Sequence, residues 1–422
     1  MKSKKLQIKN ENLPNGWRKV KLGEIVNIKM GQSPSSQFYN SRGEGLPFYQ
    51  GITDFGSKYP NKSVYCTNTI KIAEKGEILF SVRAPVGEVN VAIEKSCIGR
   101  GIAALSMKNK NNEFLYYLLK YHTQYFKSIS GGTTYESIGK DQIAEIELLI
   151  PEDINEQKRI ADILSAFDDK IELNNKIIKT LEEMAQEVFK EWFIKFNFPV
   201  EFEVKNEKLK VKSLGYKDAG GKFVDSELGK IPEGWEVIDL YDYISFEGGS
   251  QPPKSMHIYE KRAGYVRFIQ NRDYESDAHI TYIPESKRNK LCNEYDIMMD
   301  KYGEAGKVRF GLAGAYNVAL SKIIPKPPLM REYLRWFLKQ PEIEQMIEGS
   351  AVASTRASVN KIVFKNLKIL LPPKDLMEKF EQIGKLYINN YLKLKVENQK
   401  LAALRDLLLP KLMSGEILVN SE

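Results

Sequence analysis

Large apolar residues recur at helical spacing in two stretches, "NEFLYYLLKYHTQYFKSI" (112–129) and "REYLRWFLKQPEIEQMI" (331–347), and each predicts helix with a buried face. In "EILFSVR" (77–83) and "EVNVAI" (88–93) the pattern instead alternates or runs apolar between Gly and Pro, which predicts strands. A third pattern begins at Ile160. Apolar positions follow at Leu164, Phe167, Ile171, Ile178, Leu181, Ala185, Val188 and Trp192, with Asn174 the polar member. Steps of four and three alternate, which is a heptad seam, and a buried Asn can fix its register. A helix over 157–195 would be roughly 60 Å long. A second, more polar seam reads Ile383, Tyr387, Asn390, Leu394, Glu397, Leu401, Leu404 and Leu408.

The same order of patterns occurs twice. "LPNGWRKVKL" (13–22) returns as "IPEGWEVIDL" (231–240), and at one constant offset Trp17 pairs with Trp235, Gly31 with Gly249 and Pro34 with Pro252. Further on, Gln50 falls on Gln270, Asp54 on Asp273, Gly87 on Gly306 and Val89 on Val308, with a drift of a few residues. A period this long means tandem whole domains rather than a solenoid. The expected organisation is an α+β recognition domain over 1–153 and a long helix over 154–196. A polar connection and second domain over 197–371 precede a second helix and tail over 372–422. Two such helices pack most simply as an antiparallel coiled coil, with the domains at opposite ends about a pseudo-two-fold axis. Duplex DNA has matching symmetry.

Composition narrows the setting. At 422 residues the chain is too long for one core. The 42% hydrophobic and 28% charged content is ordinary globular usage. A net charge of +8 suits a polyanionic partner without requiring one. "MKSKKLQIKN" has no apolar run after its charges, and no stretch is long and apolar enough to span a bilayer. Cys66, Cys97 and Cys292, like His122, His257 and His279, are isolated, so no zinc or disulfide framework is expected. The expected location is the cytoplasm.

Catalytic motifs are missing. "YGEAGKV" is too short for a phosphate loop, and "GRGIAAL" (99–105) reads as a strand packed on a helix rather than a dinucleotide site. "SQPPKSM" and "LLPPKDL" lack the neighbours that grip a flipped base in an amino-methylating enzyme. The acids of "PEDINEQK" (151–158) suit a helix start better than a nuclease centre. Trp17 and Trp235 read as core anchors, and Phe114, Tyr116, Tyr117, Tyr121 and Tyr125 as a helix core rather than a base-stacking platform.

Candidate DNA contacts are spread over repeat-equivalent loops. The first loop holds Gln32, Ser33 and Ser35 in one copy, and Ser250, Gln251 and Lys254 in the other. Next come Gln50, matched by Gln270 with Arg272 beside it. The loop after "EILFS" carries Arg83, where the second copy has Lys301, Tyr302, Lys307 and Arg309. Late loops hold Thr133, Thr134, Tyr135 and Lys140 against Thr355, Arg356, Ser358 and Lys361. Arg, Lys, Gln and Asn read base edges, while Ser, Thr and Lys hold phosphates. Each residue taken singly reads equally well as a solvated loop side chain.

"IPEGWEVIDL", "FSVRAPVGEVNVAIEKSCIGRGIAAL", "KIELNNKIIKTLEEMAQEVFKEWF" and "LRDLLLPKLMSGEI" together resemble the specificity subunit of type I restriction-modification systems, over nearly the whole chain and in that family's order. The resemblance implies two target-recognition domains reading the halves of a split sequence in double-stranded DNA. It implies that the helices set the gap and dock two modification subunits, with restriction subunits as a further possible partner. S-adenosylmethionine, ATP and Mg would sit on those partners, leaving this chain without cofactor or catalysis. The loops at Arg83 and Thr133–Tyr135 match the family's DNA contacts; "KYGEAG" and "ASTRAS" depart from it. Two other readings stay open: a stand-alone DNA methyltransferase or nuclease, and a coiled-coil adaptor binding only proteins.

Overall fold

The computed structural model describes residues 13–130, 137–205, 208–211, 213–277, 279–352 and 358–419. The chain divides into two compact units, Met1–Leu173 with Glu397–Glu422, and Asn174–Val396.

The first unit is built on an antiparallel sheet in the order Val26–Met30, Ile102–Met107, Ile78–Ser81, Val89–Val91. A five-stranded sheet runs Tyr39–Asn40, Tyr65–Cys66, Leu46–Tyr49, Ser96–Ile98, Ile72–Ala73, with Leu46–Tyr49 parallel to Ser96–Ile98. Trp17–Lys21 pairs separately with Glu147–Pro151. The apolar run Ile78–Ser81 is buried at every position because both its faces are covered. Ile78 and Phe80 join the helix-side core with Phe114 and Leu118, while Leu79 turns to the other core with Tyr49 and Ile98.

The second unit repeats this topology. Its sheets run Ile244–Gly248, Leu320–Pro325, Ile297–Asp300, Val308–Arg309, and Tyr282–Pro284, Tyr265–Ile269, Gly314–Tyr316, Leu291–Cys292, again with one parallel pair. Ile297 and Met299 face the helix side, and Met298 the other core with Ile269 and Tyr316. Both units are therefore α+β, as the two periodicities predict.

Each predicted amphipathic helix is observed as two. Asn112–Tyr121 starts at Asn111, whose side chain accepts from the Phe114 N–H at 3.4 Å, and gives way at His122 to Thr123–Ser130. Arg331–Leu338 is followed by Pro341–Val352, because Pro341 has no N–H to continue the first ladder. Phe114, Tyr116 and Tyr117 are fully buried, so they are core.

The first long helix spans Ile154–Phe189 and widens into a π turn at Lys190–Ile194. The acids at its start act as a cap: Asp153 accepts from the Asn155 and Glu156 N–H groups at 2.9 and 3.3 Å. The second spans Lys374–Met413. Within the first unit Asp168 pairs with Arg405, and Lys170 lies 3.6 Å from Glu397, so the chain directions oppose. Within the second, Phe189, Trp192 and Phe193 gather around Phe380 at 4.9 to 6.0 Å. Leu164 and Asn174 are fully buried, and Phe167, Ile171, Ile178 and Leu181 half-buried, so the first seam lies where its heptads put it.

In the second helix Leu394, Leu401 and Leu408 are half-buried, but Leu404 is 48% exposed and leaves the seam. Arg405 takes the inward position instead, drawn to the buried Asp168, whose other oxygen accepts from the Tyr117 hydroxyl at 2.6 Å.

The opening tryptophans are both 5% exposed. Trp17 donates from Nε1 to Glu156 at 3.2 Å and packs so near Gly415 that a Cβ there would sit 3.2 Å from its ring. Trp235 stacks with Phe198 at 5.6 Å and meets Phe196 edge-on. The connection expected to be merely polar thus contributes aromatic residues, Phe198, Tyr216 and Phe223, to one cluster.

Candidate nucleic-acid interface

In the first unit, three loops meet around the turn Gly99-Arg100-Gly101 between two strands. The Gly31 and Gln32 N–H groups donate to Ile102 and Ile98 at 2.9 Å, Gly99 N–H to Tyr49 at 2.8 Å, and Val82 N–H to Gly101 at 2.9 Å. Ile138 N–H then donates to Val82 at 3.0 Å, and Arg83 bridges to Ser137. The glycines make this approach possible. A Cβ on Gly31 would lie 2.2 Å from the Gly99 oxygen, and one on Gly101 2.1 Å from the Gln50 oxygen.

This geometry brings Gln32, Ser33, Gln50 and Arg83 to one end of the sheets. Gln32, Gln50 and Arg83 are exposed, as are Ser35 at the mouth of the first loop and Lys140 at the start of a short helix. Ser33 has a positioning duty, since its Oγ accepts from the Arg100 N–H at 3.1 Å. Arg100 itself is exposed at the tip of the turn, in the midst of the candidate residues. Sequence reasoning passed over it. The available signal was a cation between two glycines whose close approach leaves its side chain to project.

The second unit uses the same backbone ties with other side chains. Gly249 and Ser250 N–H donate to Leu320 and Tyr316 at 3.2 and 3.1 Å, Asn317 N–H to Ile269 at 3.0 Å, and Lys301 N–H to Ala319 at 2.8 Å. Val359 N–H donates to Lys301 at 3.2 Å, which repeats the tie at Ile138. The turn here is Asn317-Val318-Ala319, so an exposed apolar side chain replaces Arg100. Around it stand Gln251, Gln270, Arg272, Lys301, Tyr302 and Ser358. Lys254 is exposed at the start of a single 3-10 turn.

Several of these groups have partners already. In both units a carboxylate holds the loop after the first strand of the parallel pair: Asp54 accepts from Gln50 N–H at 2.6 Å, and Asp273 from Gln270 N–H at 3.0 Å. Burial pushes the Asp273 carboxyl above its ordinary range, and that backbone donor works against the shift. The Gln270 amide also reaches Thr281 at 3.4 Å, and Lys361 sits 3.9 Å over the Tyr241 ring. Lys307 pairs with Glu304 at 2.7 Å.

The expectation for Arg309 is corrected. It is 9% exposed and holds Asp300 through two nitrogens at 3.1 and 3.2 Å, with Glu275 and Glu304 each at 2.6 Å. Burial opposes its charge, but Glu275 and Asp300 keep the guanidinium above its ordinary pKa. It braces the loop carrying Lys301 and Tyr302 instead of facing outward. Thr133, Thr134 and Tyr135, with Thr355 and Arg356, lie outside the described residues.

Among the described residues no three His, Cys, Asp or Glu side chains form a potential metal-binding group, and no helix is long and apolar enough to cross a membrane.

Known proteins resemble the chain over most of its length. The MjaIX type I restriction enzyme specificity subunit of Methanocaldococcus jannaschii is 29% identical, across 97% of this chain and 95% of that one. The HindI specificity subunit of Haemophilus influenzae is 27% identical over 82% and 88%. A crystal structure of a type I restriction-modification S subunit from M. genitalium superposes with a TM-score of 0.57 at 17% identity, covering 98% and 99% of the two chains, and so shares the fold. Residues 14–183 and 232–402 each match the type I restriction modification DNA specificity domain, and the chain belongs to that family.

Proposed function

We propose that this chain is the non-catalytic, sequence-reading subunit of a cytoplasmic DNA modification assembly. Each unit reads one half of a bipartite target through the loops around its inter-strand turn. The long helices set the gap and dock two modification subunits, which carry S-adenosylmethionine and methylate adenine. A restriction subunit using ATP and Mg is a further partner. One observation supports this reading above others: an identical set of backbone ties presents Arg83 and Arg100 in one unit, but Lys301, Tyr302 and Val318 in the other. A duplicated scaffold with divergent tips suits two different half-sites.

Genome-wide mapping of methylated adenine, with and without the chain, tests it. Two half-sites and a fixed gap should vanish when the chain is removed. Arg100→Ala should relax or abolish recognition of one half-site, and Tyr302→Ala the other. If both substitutions alter the same half, the assignment of one unit to each half fails. Turnover by the purified chain with S-adenosylmethionine or Mg alone would point to an enzyme. A footprint of the assembled complex without sequence-dependent protection would point to a protein-only adaptor.

A further inference from the structure

The hairpin leading into the second unit's reading loop differs in charge from its counterpart in the first. In the first unit the turn "YNSRGEG" (39–45) contains one cation, and Arg42 is neutralised by Glu44 at 3.1 Å. The adjacent "TNT" (67–69) is uncharged. In the second unit the matching segments are "YEKRAGY" (259–265) and "SKR" (286–288). Lys261 stands where the first unit has Ser41, and Gly264 where Glu44 would neutralise Arg262. The connection to the next strand runs over 67–71 in the first unit with Lys71 as its cation, and over 284–290 in the second, two residues longer, with Lys287 and Arg288 added beside Lys290.

The two segments touch. Glu285 N–H donates to Gly264 at 2.8 Å, Tyr265 N–H closes its turn on Arg262 at 3.2 Å, and the Ser286 hydroxyl accepts from Arg288 N–H at 3.2 Å. Gly264 has φ +77, so the turn favours glycine at the position that removes the acid. Lys261, Arg262, Lys287 and Arg288 are all exposed, and among the described residues none forms an ion pair, although Glu260 and Glu285 lie alongside. Tyr259, 74% exposed, stands next to them.

We infer that these four cations form a phosphate-backbone clamp for duplex DNA, present in the second unit and absent from the first. The inference rests on the DNA-reading function proposed above. Strand Tyr265–Ile269 joins the clamp to the reading loop at Gln270, and its four residue steps span about 13 Å. That is well under the roughly 34 Å of one duplex turn, so one stretch of DNA can meet both. A phosphate contact carries no sequence information, so the clamp would add affinity to any duplex and orient it on this unit.

The test replaces the clamp by uncharged residues of the kind the first unit carries in these loops, Lys261→Ser, Lys287→Asn and Arg288→Thr, in the full chain. Binding of a fluorescein-labelled 40-base-pair duplex of random sequence is followed by anisotropy over a salt series. Three lost phosphate contacts should lower the slope of log K against log salt by roughly two to three and weaken binding about tenfold or more at low salt. General charge loss alone is screened beyond about 10 Å at 0.1 M salt and should not change the slope so far. An unchanged slope, with wild-type binding intact, overturns the clamp and leaves the reading function standing. Failure of the wild-type chain to bind any duplex overturns both.

Discussion

Replacing Arg405 with methionine would strip the guanidinium from Asp168 in the first unit and leave a carboxylate that is 6% exposed, facing the Tyr117 hydroxyl. Breaking one side of a buried ion pair costs about 3 kcal/mol or more, because the remaining charge is desolvated without compensation. In a unit of this size that lowers the melting temperature by roughly 6–12 °C. The exposed contact of Arg405 with Asp406 adds little. Adding Asp168→Asn removes the stranded charge while retaining an oxygen for Tyr117, so the double variant should recover most of the loss. The two sites should couple by about 2 kcal/mol. Pulsed hydrogen exchange across a urea series reads this locally, with peptides over 112–121 reporting the first unit and 331–338 the second as internal control. A loss under about 1 kcal/mol, or a double variant no more stable than Arg405→Met, would refute the view that Arg405 displaced Leu404 from the seam to satisfy Asp168.

Three further outcomes are expected. Arg309→Met should destabilise the second unit by about 3 kcal/mol, since Asp300 is buried and two more carboxylates converge there; the salt slope of duplex binding should not change, and a fall of one unit would show that Arg309 touches DNA after all. His122 lies among Tyr121, Tyr125 and Phe126, and burial lowers its pKa to about 4. The unfolded chain therefore takes up a proton below about pH 6.5 that the folded chain refuses, and acid favours unfolding. Stability is retained above that pH and should fall by about 2 kcal/mol at pH 5, a loss that His122→Phe abolishes in denaturant titrations. Inserting one heptad into each long helix adds about 10.5 Å. Methylation mapping should then show unchanged half-sites and a gap wider by about three base pairs at 3.4 Å each; changed half-sites would count against the helices as spacers.

Much of this molecule was legible in one dimension because burial has a period. The duplication, the strand run Ile78–Ser81 and the seam from Ile160 to Trp192 all follow from which positions can face a core, and the fold places them there. The acids of "PEDINEQK" read correctly as a cap because a helix start needs acceptors within a few residues. Local order therefore came from local rules.

What tertiary structure decided was the use of each polar side chain. Arg309 and Arg100 look alike as letters beside a glycine-rich turn. One is enclosed by Asp300 of the paired strand, Glu304 of the same hairpin and Glu275 of a separate loop, while the other projects from a turn that Gly31, Gln50 and Ser33 pack beneath. Leu404 kept the heptad and lost its place to Arg405, because Asp168 of the facing helix needed a cation. A hydrophobic residue needs only removal from water, and periodicity records that. A charge needs a particular partner at a particular distance, and only the folded chain supplies one.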